Sequence, residues 1–212
     1  MKDIAIYGAG GFGREVACLI NIENKKKPDW NFIGFFDDDM ELKGKSNEYG
    51  NILGNIDAVC NWDKPLCLLI AIGNGNTIRQ VVNQITNPNI SFPNFIHHAT
   101  YSDEENMSIG KGNIVTGAHF SCAVHIGDFN VINGGVVFGH DVKVGNFNSF
   151  MPDVRVSGNV IIGDCNFFGI NSIILQGIDI KNDVRLGAGS VLMHKPKPGN
   201  LYIGNPAKVF KY

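Results

Sequence analysis

An apolar residue recurs at every sixth position through most of the second half of this chain. Starting from Ile114, fourteen successive positions follow the rule: Ile114, Phe120, Ile126, Ile132, Phe138, Val144, Phe150, Val156, Ile162, Phe168, Ile174, Ile180, Leu186 and Leu192. A three-sided parallel β-helix produces this period, because each short strand needs one inward apolar side chain. The array therefore predicts a β-helix with coils of 18 residues.

The same period predicts what lies at the corners of the helix and at its end. Two further sets of residues recur at the coil length and should stack at one corner: Asn130, Asn148 and Asn166, and Gly127, Gly145 and Gly163. The tail that begins at Lys195 contains three prolines and breaks the hexads. We expect it to fold back along the last coil and cover its open edge.

The first half has a different pattern, in which apolar strands alternate with helical segments. The predicted strands are Ile4–Tyr7, Phe32–Phe36, Leu66–Ile72 and Ile90–Phe92, and the predicted helices are Gly13–Ile22 and Ile78–Ile85. This alternation indicates a parallel sheet covered by helices, of about the size of one mononucleotide-binding half. We therefore place a Rossmann-like domain at residues 1–95 and the β-helix domain at residues 96–212.

A glycine turn, Gly8-x-Gly10-x-x-Gly13, joins the first strand to the first helix. Such a turn presents backbone N–H groups to a phosphate at a helix N-terminus. Asp37 and Asp38 end the second strand, near the spacing at which a carboxylate binds a ribose or sugar hydroxyl. Helix caps are the structural alternative for these carboxylates. The turn alone is also compatible with an NAD-dependent oxidoreductase, but the hexad array supplies no hydride-transfer chemistry.

His140 precedes Asp141 at a corner of the predicted β-helix. An imidazole can accept a proton near neutral pH, and a neighbouring carboxylate can fix its tautomer and raise its basicity. An exposed turn histidine is the structural alternative. Zinc held by His119, His125 and His140 is a further alternative, but no two of these residues are one coil apart. His97-His98, at the junction of the halves, is interpreted as a structural turn.

Composition excludes several classes of partner. The net charge is −2 and no basic stripe is present, so we predict no nucleic-acid partner. No apolar run reaches the length of a membrane span. Five cysteines without a C-x-x-C pair indicate reduced thiols, and we expect a cytoplasmic protein.

Six short stretches, in this order, resemble the PglD/NeuD family of bacterial sugar acyltransferases. They are GAGGFGRE at 8–15, FFDDD at 35–39, AIGNGNTIR at 71–79, FGHD at 138–141, VSGNVIIGD at 156–164 and IGNPAK at 203–208. The resemblance covers essentially the whole chain and implies a left-handed β-helix. It also implies transfer of acetyl from acetyl-CoA to the amino group of a nucleotide-linked aminosugar in surface glycan biosynthesis. The implied assembly is a homotrimer with acetyl-CoA bound between neighbouring β-helices, and no metal is implied.

The resemblance also implies roles for individual residues. His140 matches the general base, Asp141 its acidic neighbour and Asn133 a polar active-site position. The positions that match contacts to the nucleotide-sugar are Gly10, Gly11, Phe12, Asp37, Asp38 and Gly73. The positions that match the acetyl-CoA site are Ser149, Gly158, Ile170, Ala188 and Lys208, with the Gly158 N–H polarising the acetyl carbonyl.

Two positions depart from the family pattern. Phe12 replaces a histidine that many members carry in the glycine turn, and Ser149 replaces a second histidine that contacts acetyl-CoA. A serine hydroxyl can still donate a hydrogen bond, but its reach is shorter. O-acetylation of a sialic-acid-type sugar remains an alternative activity, and so does a non-catalytic protein that only binds a nucleotide-sugar.

Overall fold

The computed structural model describes residues 1–103 and 105–211. The N-terminal half contains, in order, β1 (Lys2–Tyr7), α1 (Gly11–Lys26), β2 (Trp30–Phe36), a 3₁₀ turn (Met40–Leu42), β3 (Ser46–Asn47), β4 (Gly50–Gly54), α2 (Ile56–Cys60), β5 (Leu66–Ile70), α3 (Gly75–Gln84) and β6 (Ile90–Ser91). The sheet order is β3-β4-β2-β1-β5-β6, and only the β3–β4 pair is antiparallel. This is the Rossmann-like arrangement that the sequence predicts.

The predicted strands and helices of this half are present, with boundaries displaced by a few residues. Helix α1 is longer than predicted at both ends, whereas β5 ends two residues earlier than predicted. Strand β4 and helix α2 are not among the predicted elements. Strand β4 offers only two large apolar residues between glycines, and α2 spans five residues. Neither segment is long enough to show a period.

The C-terminal half is a parallel β-helix whose strands form three faces, which we call A, B and C. Face A contains Phe95–Ile96, Ile114–Val115, Val131–Ile132, Ser149–Phe150, Phe167–Phe168, Arg185–Leu186, Leu201–Ile203 and Lys208–Val209. Face B contains His119–Phe120, Val137–Phe138, Arg155–Val156, Ile173–Ile174 and Val191–Leu192. Face C contains Ser108–Ile109, His125–Ile126, Lys143–Val144, Ile161–Ile162 and Asp179–Ile180. The predicted fold class, a Rossmann-like domain followed by a β-helix of hexapeptide repeats, is confirmed.

All fourteen predicted hexad residues are buried, but the first of them is not an inward residue of the β-helix. Val115, not Ile114, pairs with Ile132 and belongs to the β-helix core. Ile114 instead packs into the core of the N-terminal half. Phe120 is five positions after Val115 instead of six, so this coil is one residue short. The sequence concealed the deletion because Ile114 and Val115 are both apolar.

A ladder of buried asparagines runs along the corner between faces C and A, as predicted. The Asn148 Nδ2 donates to Asn130 Oδ1 at 3.0 Å and to Gly163 O at 2.9 Å. The Asn148 Oδ1 accepts from the backbone N–H and the side chain of Asn166. Asn113 extends the ladder by one more coil. Each amide thereby satisfies backbone groups that the turn leaves without a strand partner.

Asn148→Ala is expected to lower the free energy of unfolding by about 2–4 kcal/mol, because it leaves several buried polar groups without partners. Chemical denaturation of the variant measures this loss. Asn51→Ala, on an exposed strand residue, is the matched control and should stay close to the wild-type protein. An equal loss in both variants would contradict a specific role for the ladder.

Each corner of the prism places one residue in the left-handed backbone region. The non-glycine residues with φ between 54° and 61° are Ala123, Phe129, Asp141, Phe147, Asp153, Asn159, Cys165, Asn171 and Asp183. The two phenylalanines occupy a conformation that costs a bulky residue about 1–2 kcal/mol. Their rings stack 5.5 Å apart and pack against the N-terminal half, which offsets that cost.

The N-terminal half packs on face A and on the corner between faces C and A. Phe129 and Val131 share one apolar cluster with residues of β1, β5 and α3. The backbone of Gly75, at the start of α3, lies so close to Phe147 that a Cβ there would be 1.9 Å from its carbonyl oxygen. The Asn76 Nδ2 also donates to Asp183 Oδ1 at 3.0 Å. The corner between faces B and C therefore lies on the side of the prism away from this packing.

The C-terminal tail covers the last coil in two steps. Leu201–Ile203 first adds a parallel strand next to Arg185–Leu186, and Lys208–Val209 then returns antiparallel to it. Tyr202 completes the β-helix core at this end. Among residues 1–103 and 105–211, no helix has the length and apolar character needed to cross a membrane.

Candidate active site

His140 and Asp141 form a hydrogen-bonded pair at the corner between faces B and C. The His140 Nδ1 lies 2.7 Å from Asp141 Oδ2, and both side chains are about half exposed. Asp141 holds a φ of 60°, which the corner turn imposes and which an aspartate tolerates better than most residues. An Nδ1–H that donates to this carboxylate leaves the Nε2 lone pair free to accept a proton. The pair thus has the geometry of a general base with an orienting carboxylate.

Gly158 lies one coil after His140 and directly beneath its imidazole. A Cβ built on Gly158 would be 2.5 Å from His140 Nε2, so only glycine leaves room for the ring in this position. The Gly158 N–H donates to no acceptor within the described part of the chain. Nε2 of His140 and an unused backbone donor therefore lie side by side.

Gly139 keeps that donor uncovered, and sequence reasoning did not single it out. A Cβ on Gly139 would stand 2.6 Å from the Gly158 nitrogen. The FGHD stretch contained the signal, since a glycine precedes the histidine. Only the stacking of two coils shows what this glycine leaves open.

The other residues predicted at the catalytic and acetyl-CoA sites lie elsewhere on the prism. Ile170 and Ala188 are exposed one above the other at the corner between faces A and B. Asn133 is buried at that same corner, where its side chain donates to Phe150 O at 2.9 Å. These three residues are separated from the His140 corner by the width of face B.

Ser149 and Lys208 both belong to strands of face A, opposite the corner that carries His140. Ser149 lies on face A and is fully buried, and its hydroxyl has no hydrogen-bond partner among the described residues. Lys208 is exposed in the last strand of the tail. Within one chain, only Gly158 of the predicted acetyl-CoA residues lies next to the His140–Asp141 pair.

The predicted nucleotide-sugar residues converge at the carboxyl edge of the N-terminal sheet. Gly8 and Gly13 are required by the turn itself, because a Cβ on either would meet backbone atoms at 2.7 Å or less. Gly10, Gly11 and Gly73 instead border open space, and a Cβ on any of them would have no atom within 4 Å. Gly10 is the N-cap of α1 and supplies no side-chain cap. The first N–H groups of the helix are therefore left for a ligand or water.

Asp37 and Asp38 follow β2 at the same edge, next to the glycine turn, and Phe12 is half-buried in that turn. One oxygen of Asp37 accepts from the Ala9 N–H at 2.7 Å, which fixes the turn. Asp38 accepts from the Tyr7 hydroxyl at 2.6 Å and from the Ile56 N–H at 3.0 Å. Burial and the bond to Asp38 raise the pKa of Tyr7, so the phenol stays protonated as a donor. Like Gly139, Tyr7 is a candidate site residue that the sequence did not single out, because its pattern indicates only the last residue of a strand.

The histidines considered for zinc do not come together. Among the described residues, the one group of three side chains close enough to hold a metal ion is Glu23, His97 and His98. The His98 Nδ1 lies 2.6 Å from Glu23 Oε1, which ties α1 to the start of the β-helix. The His97 Nδ1 accepts from the Ala99 N–H at 3.3 Å, so the ring offers its Nε2–H to Glu23 rather than a lone pair to a metal. These contacts agree with the interpretation of His97-His98 as a structural turn.

Comparison with known proteins shows which families and proteins this chain resembles. Residues 3–85 match the family described as the PglD N-terminal domain. The chain is 28% identical, over 100% of its length and 97% of the relative's, to the GDP-perosamine N-acetyltransferase of Escherichia coli O157:H7.

Solved structures agree over the whole chain. The acetyltransferase domain of PglB from Neisseria gonorrhoeae FA1090, in complex with acetyl coenzyme A, superposes with a TM-score of 0.87 at 26% identity, covering 99% of each chain. PerB from Caulobacter crescentus, in complex with CoA and GDP-perosamine, has the same fold, with a TM-score of 0.85 at 24% identity over 100% of this chain and 98% of PerB. The matched N-terminal domain, the full-length relative and the shared two-part fold support a relationship between this chain and the PglD/NeuD-type acetyltransferases.

Proposed function

We propose that this chain is an acetyl-CoA-dependent N-acetyltransferase that acts on the amino group of a nucleotide-linked aminosugar in bacterial surface glycan biosynthesis. The observation that carries the proposal is the His140–Asp141 pair beside the uncovered Gly158 N–H. The related proteins named as N-acetyltransferases, and the complexes of related folds with CoA, support the same chemistry.

His140 acts as the general base in this proposal. A neutral amine attacks the thioester through its lone pair, and its nitrogen becomes positively charged as the new bond forms, so a proton must leave it during the reaction. His140 Nε2 accepts that proton, and the Asp141 carboxylate stabilises the imidazolium through Nδ1. The amine nitrogen bonds to the acetyl carbon, and the carbon–sulfur bond breaks so that CoA leaves as a thiolate. The proton on His140 then neutralises that thiolate.

Gly158 supplies the electrostatic part of the reaction. Its N–H has no protein acceptor in the described residues and therefore needs no rearrangement to bind the oxygen of the acetyl group. The charge on that oxygen grows in the transition state, so this hydrogen bond strengthens as the reaction proceeds.

We further propose that the active enzyme is a homotrimer in which two chains form each site. His140 lies on the side of the prism away from the N-terminal half, whereas the glycine turn lies on that half. The residues predicted for acetyl-CoA are divided between the His140 corner, the corner between faces A and B, and face A. A neighbouring copy can bring these parts together, and three-sided prisms pack readily around a three-fold axis.

Complementation between two inactive variants tests the shared site. We expect co-expressed chains carrying His140→Ala and Asp38→Ala, under two different affinity tags, to regain activity in mixed trimers. Each variant alone should remain inactive or nearly so. Light scattering of the wild-type protein should give the mass of a trimer. An active monomer, or mixed trimers without recovered activity, would refute shared sites.

We propose that Tyr7 positions Asp38 for the nucleotide-sugar. Tyr7→Phe is expected to raise KM for the nucleotide-sugar about tenfold, because Asp38 loses a charge-assisted hydrogen bond that fixes its rotamer. The kcat and the KM for acetyl-CoA should change little. Tyr202→Phe, at a buried tyrosine of the C-terminal tail whose hydroxyl accepts from the Lys197 N–H, is the matched control for loss of a tyrosine hydroxyl. If Tyr7 has only a structural role, Tyr7→Phe should lower the melting temperature without raising KM for the nucleotide-sugar more than KM for acetyl-CoA.

The activity itself is tested with a panel of nucleotide-aminosugars and acetyl-CoA, with thiol release as the measurement. We expect release with at least one member that carries a free amino group. The matched nucleotide-sugars with a hydroxyl at that position should give none. If thiol is released with a sialic acid and with no amine in the panel, the activity to be assigned is O-acetylation and not N-acetylation.

We also assign the enzyme to the cytoplasm, in agreement with five cysteines that form no disulfide.

A further inference from the structure

A groove of about 740 Å³ lies one coil before His140, on its N-terminal side. Cys122, which lines the groove, stands 18 residues before His140 at the same corner of the prism. The Asp141 N–H donates to Cys122 O at 3.1 Å, so the groove is adjacent to the His140–Asp141 pair. Adjacent coils are about 4.8 Å apart, which is within the dimension of a single sugar ring.

Two aromatic rings form one wall of the groove. Tyr101 stacks on His119 with ring centres 4.7 Å apart and an angle of 20° between the planes. The backbone of Tyr101 is fixed, since its N–H donates to Ala118 O and its carbonyl accepts from the Phe120 N–H. Its side chain is nevertheless 65% exposed. A preordered aromatic ring with an uncovered face is suited to the apolar C–H face of a sugar.

The charge of the groove distinguishes between the two substrates. Asp103 and Glu105 line it, and no lysine or arginine is among its described lining residues. A protonated amino group is attracted to such a surface, whereas the phosphates of CoA are repelled. The groove therefore suits an aminosugar and does not suit acetyl-CoA.

The position of His140 gives each substrate its own side. Its imidazole lies against the Cα of Gly158 in the coil that follows. Apart from Ser149, the residues predicted for acetyl-CoA occupy that coil or later ones. The groove occupies the coils that precede His140. The acetyl donor and the sugar would therefore meet at the base from opposite ends of the prism.

We propose that this groove binds the sugar ring of the acceptor, with Tyr101 and His119 against the ring and the carboxylates of Asp103 and Glu105 near the protonated amine. This proposal rests on the proposed function and names the part of the site that recognises the sugar. The bound ammonium first loses one proton to solvent, and the neutral amine is then presented to His140, which takes the second proton during the transfer.

Calorimetry separates the contribution of the sugar from that of the nucleotide. The probes are a nucleotide-aminosugar that the wild-type enzyme acetylates, or in its absence the one it binds most tightly, and the corresponding nucleoside diphosphate. We expect Tyr101→Ala to weaken binding of the nucleotide-aminosugar about tenfold and to leave binding of the diphosphate unchanged. Tyr101→Phe, which keeps the ring, should bind both probes like the wild-type protein.

A second variant tests the charge. Glu105→Gln is expected to raise KM for the nucleotide-aminosugar several-fold at low salt, and the difference should shrink as salt is added. Binding of the nucleotide-sugar with a hydroxyl in place of the amine should not change. Asp63→Asn, an exposed carboxylate on the N-terminal half, is the matched control.

The outcomes separate this proposal from the proposed function. If Tyr101→Ala loses the extra affinity for the nucleotide-aminosugar over the diphosphate, the result supports sugar binding in the groove, even if no acetyl transfer is found. Equal weakening for both probes, or no weakening, overturns the groove while leaving acetyl transfer intact. A wild-type protein that binds the nucleotide-aminosugar no more tightly than the diphosphate overturns it as well.

Discussion

His140→Ala is expected to lower kcat by about 100- to 10,000-fold, the usual contribution of a positioned general base. The KM for acetyl-CoA should stay close to that of the wild-type enzyme, because the role proposed for the imidazole is proton transfer and not binding of the cofactor. Steady-state thiol release with a nucleotide-aminosugar measures both constants. The fold should be preserved, since the His140 side chain is half exposed.

Two further variants make the interpretation specific. His194→Ala removes an exposed histidine three coil lengths farther along the chain and should leave kcat unchanged. Asp141→Asn should give an intermediate loss, because the amide keeps the shape of the carboxylate but not its charge. A His140→Ala enzyme with near-normal turnover on its true substrate would rule out this histidine as the base.

Gly158→Ala is expected to lower kcat by about 100- to 1,000-fold, the effect of disturbing an oxyanion donor. The new methyl group would stand 2.5 Å from His140 Nε2, so the imidazole must rotate away from the donor. The clash involves the end of a side chain, and the backbone of the coil need not move. We therefore expect a folded enzyme that has lost most of its activity.

The melting temperature and thiol release of Gly158→Ala together test whether the variant is folded and has lost most of its activity. Gly134→Ala is a matched corner glycine whose Cβ would make only ordinary contacts, at 3.7 Å from Thr116 O, and it reports the cost of the substitution to stability. Gly139→Ala should be less stable than either, because its Cβ would meet the backbone nitrogen of Gly158. A Gly158→Ala enzyme with normal turnover would show that the donor and the position of the ring are dispensable.

Periodicity predicted the β-helix well because the faces impose one buried residue per strand. It failed at Ile114, where the backbone omits one residue and the apolar neighbour Val115 takes the inward position. The asparagine ladder was also predictable, since one period stacks identical residues.

Contacts between distant parts of the chain could not be predicted in this way. Nothing in the local pattern indicates that the N-terminal half packs on face A, because that packing depends on Phe129 and Phe147 meeting α3 and its neighbours. The roles suggested for Gly139 and Tyr7 depend on atoms brought together by folding. The predicted site residues remain predictions, and the structure groups His140, Asp141 and Gly158 while distributing the others over the prism.

Because His140 and Gly158 lie in successive coils, their separation does not depend on the identity of most other side chains. Their separation along the prism is set by the hydrogen-bonded spacing of β-strands, about 4.8 Å, which no side chain determines. The spacing of the β-strands thus sets the distance between the His140 imidazole and the Gly158 N–H. Substitutions that preserve the buried hexads, Gly139 and Gly158 should therefore leave this separation unchanged. A chain with this fold can in this way keep the distance between these two residues while most of its exposed residues change.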